Sequence, residues 1–182
     1  MIVGGLDIET TGLNCEKGDR IIEVCLIALD TDTGMELDCY TQRIHPEGKS
    51  IDPKAEEVHK ISAADHVGMP AFRDVVDDLL VKLGGVEMLI IHNMDFDGPF
   101  LLTEIMTAGR EFPAHLKGFC TMENGRWACA DGKSPRLGEL AYALGVDYDP
   151  SKAHAAEYDV RVMLECFKRG LATGFFNLEN AT

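Results

Sequence analysis

Asp7 and Glu9 stand two residues apart in Asp7-Ile-Glu-Thr-Thr-Gly-Leu13, where the chain's first apolar run ends. Residues i and i+2 of an extended strand project from the same face, so this stretch offers two carboxylates side by side. Like charges so placed are costly unless a proton or a metal ion neutralises them. Two later segments, His92-Asn-Met-Asp-Phe-Asp97 and His154-Ala-Ala-Glu-Tyr-Asp159, supply further carboxylates and a base. Such a set suits phosphodiester hydrolysis assisted by two divalent metal ions.

The helical pattern around the later acids strengthens this reading. Phe100, Leu101 and Ile105 follow Asp97 at +3, +4 and +8, on one helical stripe with it. Asp159 has Ala155 at −4 and Val162, Met163 and Cys166 at +3, +4 and +7. Each acid therefore occupies a place where a core-facing apolar residue is expected, and a buried carboxylate needs a partner. Alone, either acid reads as a first-turn residue facing the helix dipole. Four converging carboxylates read better as a metal site, and oxygen-only ligands favour magnesium or manganese. His154, just ahead of Asp159, is placed to act as a general base without being a ligand. His92-Asn93, at a strand end, reads as hydrogen-bonding scaffold, and His59 follows a short helix. His45, His66 and His115 carry no functional pattern.

These groups must be positioned by the surrounding elements. Strands are expected over Met1–Ile8, Arg20–Leu29, Glu36–Ile44, Val86–Ile91 and Leu116–Thr121. Helices are expected over Asp52–His59 (an N-cap candidate followed by proline), Pro70–Leu83, Asp95–Ala108, Arg136–Leu144 and Ala155–Leu171. Thr10–Asp19 reads as a loop, and Glu123–Ser134 has no clear pattern. Three early strands followed by alternating helices and strands point to a mixed α/β sheet. No repeat, low-complexity tract or linker interrupts the chain.

The 182 residues suit one domain with a sizeable core, and 46% hydrophobic with 26% charged residues is ordinary for a globular protein. No apolar run approaches the ~20 residues a membrane helix needs, and no signal peptide is evident. A cytoplasmic protein without membrane partners is expected. Six scattered cysteines form no Cys-x-x-Cys pair and read as reduced thiols. A net charge of −14 repels a polyanion at long range. A nucleic-acid enzyme would then need metals to offset its acidic cluster and a local basic rim. Lys17, Arg20, Arg126, Lys133, Arg136 and Lys152 are the candidates, and a short single-stranded footprint is expected.

With these motifs in order, the chain resembles the DEDD (DnaQ-like) 3′→5′ exonuclease superfamily, histidine subtype. The matching pieces are Asp7-Ile-Glu9-Thr-Thr-Gly-Leu13, His92-Asn93-x-x-Phe96-Asp97 and His154-x-x-x-x-Asp159, with weaker matches at Arg20-Ile-Ile-Glu23 and Val58-His59-x-Ile61. They span nearly the whole chain. The resemblance implies an RNase H-like fold, a five-stranded mixed sheet flanked by helices, with residues 1–182 as a single exonuclease domain. It implies that Asp7, Glu9, Asp97 and Asp159 hold two Mg2+ or Mn2+ ions, with Glu9 bridging or ordering both. His154 would take a proton from water, and a nucleoside 5′-monophosphate would leave. Thr10 and Leu13 lie where family members contact the last nucleotide, and His59 matches a position near it. Lys54 stands where several members carry an acid that touches the sugar.

The leading expectation is a metal-dependent 3′→5′ exonuclease acting on single-stranded DNA or frayed 3′ ends. A rival is an exoribonuclease on short RNA, of the RNase T or oligoribonuclease kind. Another is a proofreading subunit beside a polymerase or other replication partner. A catalytically silent binding module need not keep all five of Asp7, Glu9, Asp97, Asp159 and His154. The short tail Phe175-Phe176-Asn-Leu178 is expected to pack on the core, and the lack of a long C-terminal tether favours a stand-alone enzyme or bare catalytic domain.

Overall fold

The first strand, β1 (Ile2–Thr10), carries the Asp7–Glu9 pair and lies at the centre of a five-stranded sheet. The structure, a computed structural model, describes residues 1–181. The remaining strands are β2 (Ile21–Asp30), β3 (Glu36–Arg43), β4 (Met88–Ile91) and β5 (Lys117–Cys120). The sheet order is β3-β2-β1-β4-β5. The first three strands pair antiparallel, and β4 and β5 add in parallel, giving the mixed sheet expected from sequence.

Among the described residues, six α-helices flank it: α1 (Pro53–His59), α2 (Phe72–Gly84), α3 (Met94–Thr107), α4 (Thr121–Asn124), α5 (Leu137–Leu144) and α6 (Ala156–Thr173). Parallel strands need crossovers, and helices supply them here. The alternating faces of β1 bury two separate cores. Leu6 and Ile8 pack with Phe72, Val76 and Leu79 of α2 and Phe100, Leu101 and Ile105 of α3. Val3, Cys25 and Ile27 pack on the other side with Val160, Met163, Leu164 and Phe167 of α6. Gly5 belongs to this second face, where an added Cβ would lie 2.7 Å from the Leu164 side chain. The missing side chain lets α6 press against the strand two residues before Asp7.

The stretch without a clear sequence pattern, Glu123–Ser134, begins in the last two residues of α4 and holds a 3-10 turn at Arg126–Ala128. The tail behaves as expected: Phe176 is buried against Phe119 and Phe167, while Phe175 stacks on Trp127 with ring centroids 4.1 Å apart. All six cysteines are free thiols. Among the described residues, no helix is long and apolar enough to cross a membrane.

Candidate active site

Strand ends bring the chemistry together. Asp7 and Glu9 occupy the C-terminal half of β1, and His92-Asn93 follows the C-terminal end of the parallel strand β4. Carboxyl ends of parallel strands are where open α/β sheets place ligands. The β1–β2 register shifts between Glu9 and Thr10, and such irregularities re-aim side chains beside functional sites.

His92 is scaffold, as expected. Its Nδ1 lies 2.9 Å from the Thr121 hydroxyl and its Nε2 lies 3.1 Å from the Pro135 carbonyl oxygen. A carbonyl only accepts, so Nε2 carries the proton and Nδ1 receives the threonine hydroxyl. Burial pushes its pKa down to about 4, against the Pro135 bond, so the ring is neutral at physiological pH. It clamps the end of β4 to α4 and to the approach of α5. His92→Ala is expected to lose about 1–3 kcal/mol of stability in urea unfolding, because the clamp's buried polar partners are left unpaired.

Asn93 takes the left-handed conformation, φ 76°, which asparagine tolerates better than most residues. Its carbonyl accepts the N–H groups of Phe96 and Asp97 at 2.9 and 3.4 Å, starting α3 so that Asp97 turns inward. Asp97 is 3% exposed. Burial pushes its pKa up to about 8, while the N–H groups of Ile8 and of Asp97 itself pull the other way.

The other three acids face the same space. Burial raises Asp7 well above the usual carboxylate range, followed by the charges of Asp97, Glu9, Asp159 and Glu23. Glu9 is pushed to about 9 by burial, then Asp159, Glu23 and Asp97, against Arg43. Both keep some solvent contact, which tempers the cost. Asp159, in the first turn of α6, is raised by burial and lowered by His154. Its Oδ2 accepts the His154 N–H at 2.8 Å, whereas its buried Oδ1 has no hydrogen-bond partner. His154 is exposed and also left-handed, φ 63°.

Four mutually repelling carboxylates and an orphaned buried oxygen fit an oxygen-liganded divalent cation. Among the described residues no three His, Cys, Asp or Glu side chains are drawn into a cation-holding group.

Around this cluster, Thr10–Asp19 folds over the Asp19 carboxylate, which accepts the Asn14 N–H at 3.0 Å and pairs with Lys49 at 3.0 Å. Leu13 projects from this loop, 84% exposed. Thr10 is buried, and its hydroxyl donates to the Gly12 carbonyl at 2.7 Å, so its side chain shapes the turn. The Asp52 N–H donates to the Thr11 carbonyl at 2.7 Å and docks α1 beside the loop. His59 is buried at the end of α1. Its Nδ1 accepts the Ile61 N–H at 3.0 Å, and its buried Nε2 has no hydrogen-bond partner.

Two features differ from the sequence reading. The basic rim is mostly consumed in ion pairs: Arg20 with Glu104 and Glu47, Arg126 with Glu123, Lys133 with Glu139, and Lys152 with Asp149. Among the described residues, Lys17 and Arg136 of that set form no ion pair, nor do Lys54 and Lys60 at α1 or Lys117 at the start of β5. Second, Glu23 joins the cluster as a fifth carboxylate. A glutamate within the apolar run Ile21–Ile27 was the available signal, since a charge buried there requires a partner.

Fold and motifs together define a nuclease domain, and the chain belongs to the exonuclease family: the RNase T-type exonuclease model matches residues 5–167. It is a 3′→5′ exonuclease of the DnaQ-like class. It is 32% identical over 171 residues to the DNA polymerase III subunit epsilon of Treponema pallidum, covering 91% of this chain and 74% of that protein. It is 30% identical over 171 residues to the subunit of the same name from Salmonella typhimurium, covering 89% and 68%. Among solved structures, Exonuclease X in complex with 5′ overhanging duplex DNA matches with TM-score 0.74 at 22% identity, covering 97% of this chain and 95% of that one. The nuclease domain of 3′hExo bound to rAMP matches with TM-score 0.79 at 20% identity, covering 95% and 92%. These two likenesses establish the RNase H-like fold.

Proposed function

We propose that the chain acts as one exonuclease domain that removes nucleotides from single-stranded or frayed 3′ ends of DNA, with Asp7, Glu9, Asp97 and Asp159 holding two Mg2+ or Mn2+ ions. The observation that carries this reading is the unpartnered, buried Asp159 Oδ1 within a cluster of four acids, where burial and the charges of the neighbouring acids raise the proton affinity of Asp7 and Glu9. Bound there, such ions would polarise the scissile phosphate and offset charge on the attacking and leaving oxygens.

The chain's own groups supply the rest. His154 is exposed to solvent, and its main chain is tied to Asp159. Its imidazole accepts a proton from the attacking water. A new bond forms from the water oxygen to phosphorus as the bond to the 3′ oxygen breaks. The products are a nucleoside 5′-monophosphate and a strand one residue shorter, whose 3′ oxygen takes a proton from solvent. Leu13 offers an apolar surface to the terminal base, and the buried Thr10 and His59 shape the wall beside it. Among the described residues, Lys17, Lys54, Lys60, Lys117 and Arg136 are the cations in no ion pair, few enough to suit a short footprint on a protein of charge −14.

The epsilon relatives support DNA as substrate, a polymerase or other replication partner and a cytoplasmic setting. The rAMP bound to 3′hExo supports the second reading, an exoribonuclease on short RNA. One digestion separates them. With Mg2+ and 5′-labelled DNA or RNA of one sequence, a ladder shortening from the 3′ end and stopped by EDTA is expected, faster on DNA. A faster RNA ladder would select the second reading. No product from either strand would remove the stand-alone enzyme.

A further inference from the structure

Glu9, Glu23 and Arg43 form one row across the sheet: Glu9 is the register partner of Glu23 in β1–β2, and Glu23 is that of Arg43 in β2–β3. Directly opposed residues of antiparallel strands present their side chains on the same face, so the row runs outward from the acidic site. Glu23 is 8% exposed. Arg43 donates to its Oε2 through Nε at 2.7 Å and reaches the same oxygen with Nη2 at 2.6 Å.

We propose that this ion pair is a positioning pair for the site: Arg43 keeps Glu23 out of the cation-holding set, and so fixes how strongly the other four acids bind divalent metal. The inference rests on reading those four acids as the metal site. Glu23 is close enough to act on both Asp7 and Glu9, so a fifth free carboxylate would compete for the ion or draw it off register. Arg43 is the cation that acts against the acids at Glu9. The neighbouring imidazoles do not replace it, because burial lowers the pKa of His59, against the Thr10 backbone and Glu56, and burial with the charge of Arg43 lowers that of His66. Neutral rings supply no counter-charge. Glu23 without Arg43 would be an uncompensated buried charge, and Arg43 without Glu23 would turn to Glu9.

The two halves of the pair therefore have opposite effects on metal affinity. Titrating the intact protein with Mn2+, followed by calorimetry or by the spin resonance of the free ion, reads this without any turnover. Arg43→Gln adds a net negative charge and is expected to tighten Mn2+ roughly tenfold, while Glu23→Gln frees a positive charge and is expected to weaken it roughly tenfold. The double variant should return close to wild type. Glu23→Gln keeps the size of the side chain, so it carries the test if Arg43→Gln does not fold. A purely structural pair would weaken binding in both single variants or in neither, and either pattern overturns the proposal. A Glu23→Gln protein that binds as tightly as wild type overturns it too. Wild-type protein that binds no Mn2+ would instead bring down the four-acid reading itself.

Discussion

His154→Ala is expected to slow mononucleotide release by about 10²–10⁴-fold, the range for losing a positioned general base, while leaving the Mn2+ affinity of the folded protein nearly unchanged. The split follows from how the residue is held. Its contact with Asp159 runs through the backbone N–H, at 2.8 Å, and not through the ring. Alanine keeps that bond and loses only the imidazole. The complication is conformational, because His154 sits at φ 63°. A left-handed conformation costs a non-glycine residue ~1–2 kcal/mol, and strain of this kind gathers where the surrounding structure enforces it for function. His154→Gly relieves the strain and also lacks the ring. If the imidazole carries the proton, both variants are slow to the same degree and both hold Mn2+. If the main-chain geometry were what mattered, the glycine variant would recover much of the rate. Unchanged turnover in both would remove His154 from the mechanism.

Local spacing made much of this site legible. Asp7 and Glu9 share a face because strands repeat every two residues, and Asp97 and Asp159 replace core residues on helices that repeat every 3.6. The buried stripe Phe100, Leu101 and Ile105, and the stripe Val162, Met163 and Cys166, lie where those periods put them. The pairing of charges was not legible, because it is set by register between distant segments. Arg20 reads as a candidate phosphate contact, yet its guanidinium holds the buried Glu104, 84 residues away, at 2.6 and 2.8 Å. Glu23 gave a local signal as a charge in an apolar strand. Arg43 gave none, since only the β2–β3 register places it opposite. Likewise nothing near Thr10 announced that its hydroxyl closes a turn onto Gly12. In a chain with 31 acidic and 17 basic residues, most cations are engaged by acids, so the ones left free say more about substrate contact than the total does.

Raising the pH of the metal-free protein is expected to destabilise it, and a divalent cation should reverse the loss. Glu9 titrates near 9 and Asp97 near 8 in the folded chain, each raised mainly by burial, against ordinary values of 4.5 and 3.8. Between pH ~4.5 and ~8 the unfolded chain has released these protons while the folded chain still holds both, and up to ~9 it still holds that of Glu9. Unfolding therefore releases protons, and its free energy falls as pH rises. One proton so held is worth about 1.4 kcal/mol per pH unit, or ~3–6 °C in Tm for a chain of this size. Calorimetric scans in EDTA from pH 5 to 9 should show a Tm that drops steadily across the window. Millimolar Mg2+ or Mn2+ binds the deprotonated acids and should raise Tm most at the alkaline end, by an amount equivalent to about 2.7 kcal/mol when the ion is at 100 times its Kd. Asp97→Asn removes one of the held protons, so its metal-free Tm should lie above wild type at pH 8 and fall less steeply with pH. A metal-free Tm that is flat or rising from pH 5 to 8 would falsify the crowding of these carboxylates. The same crowding sets the cation dependence, because acids that repel one another in the folded state release that repulsion only when a proton or a cation sits among them.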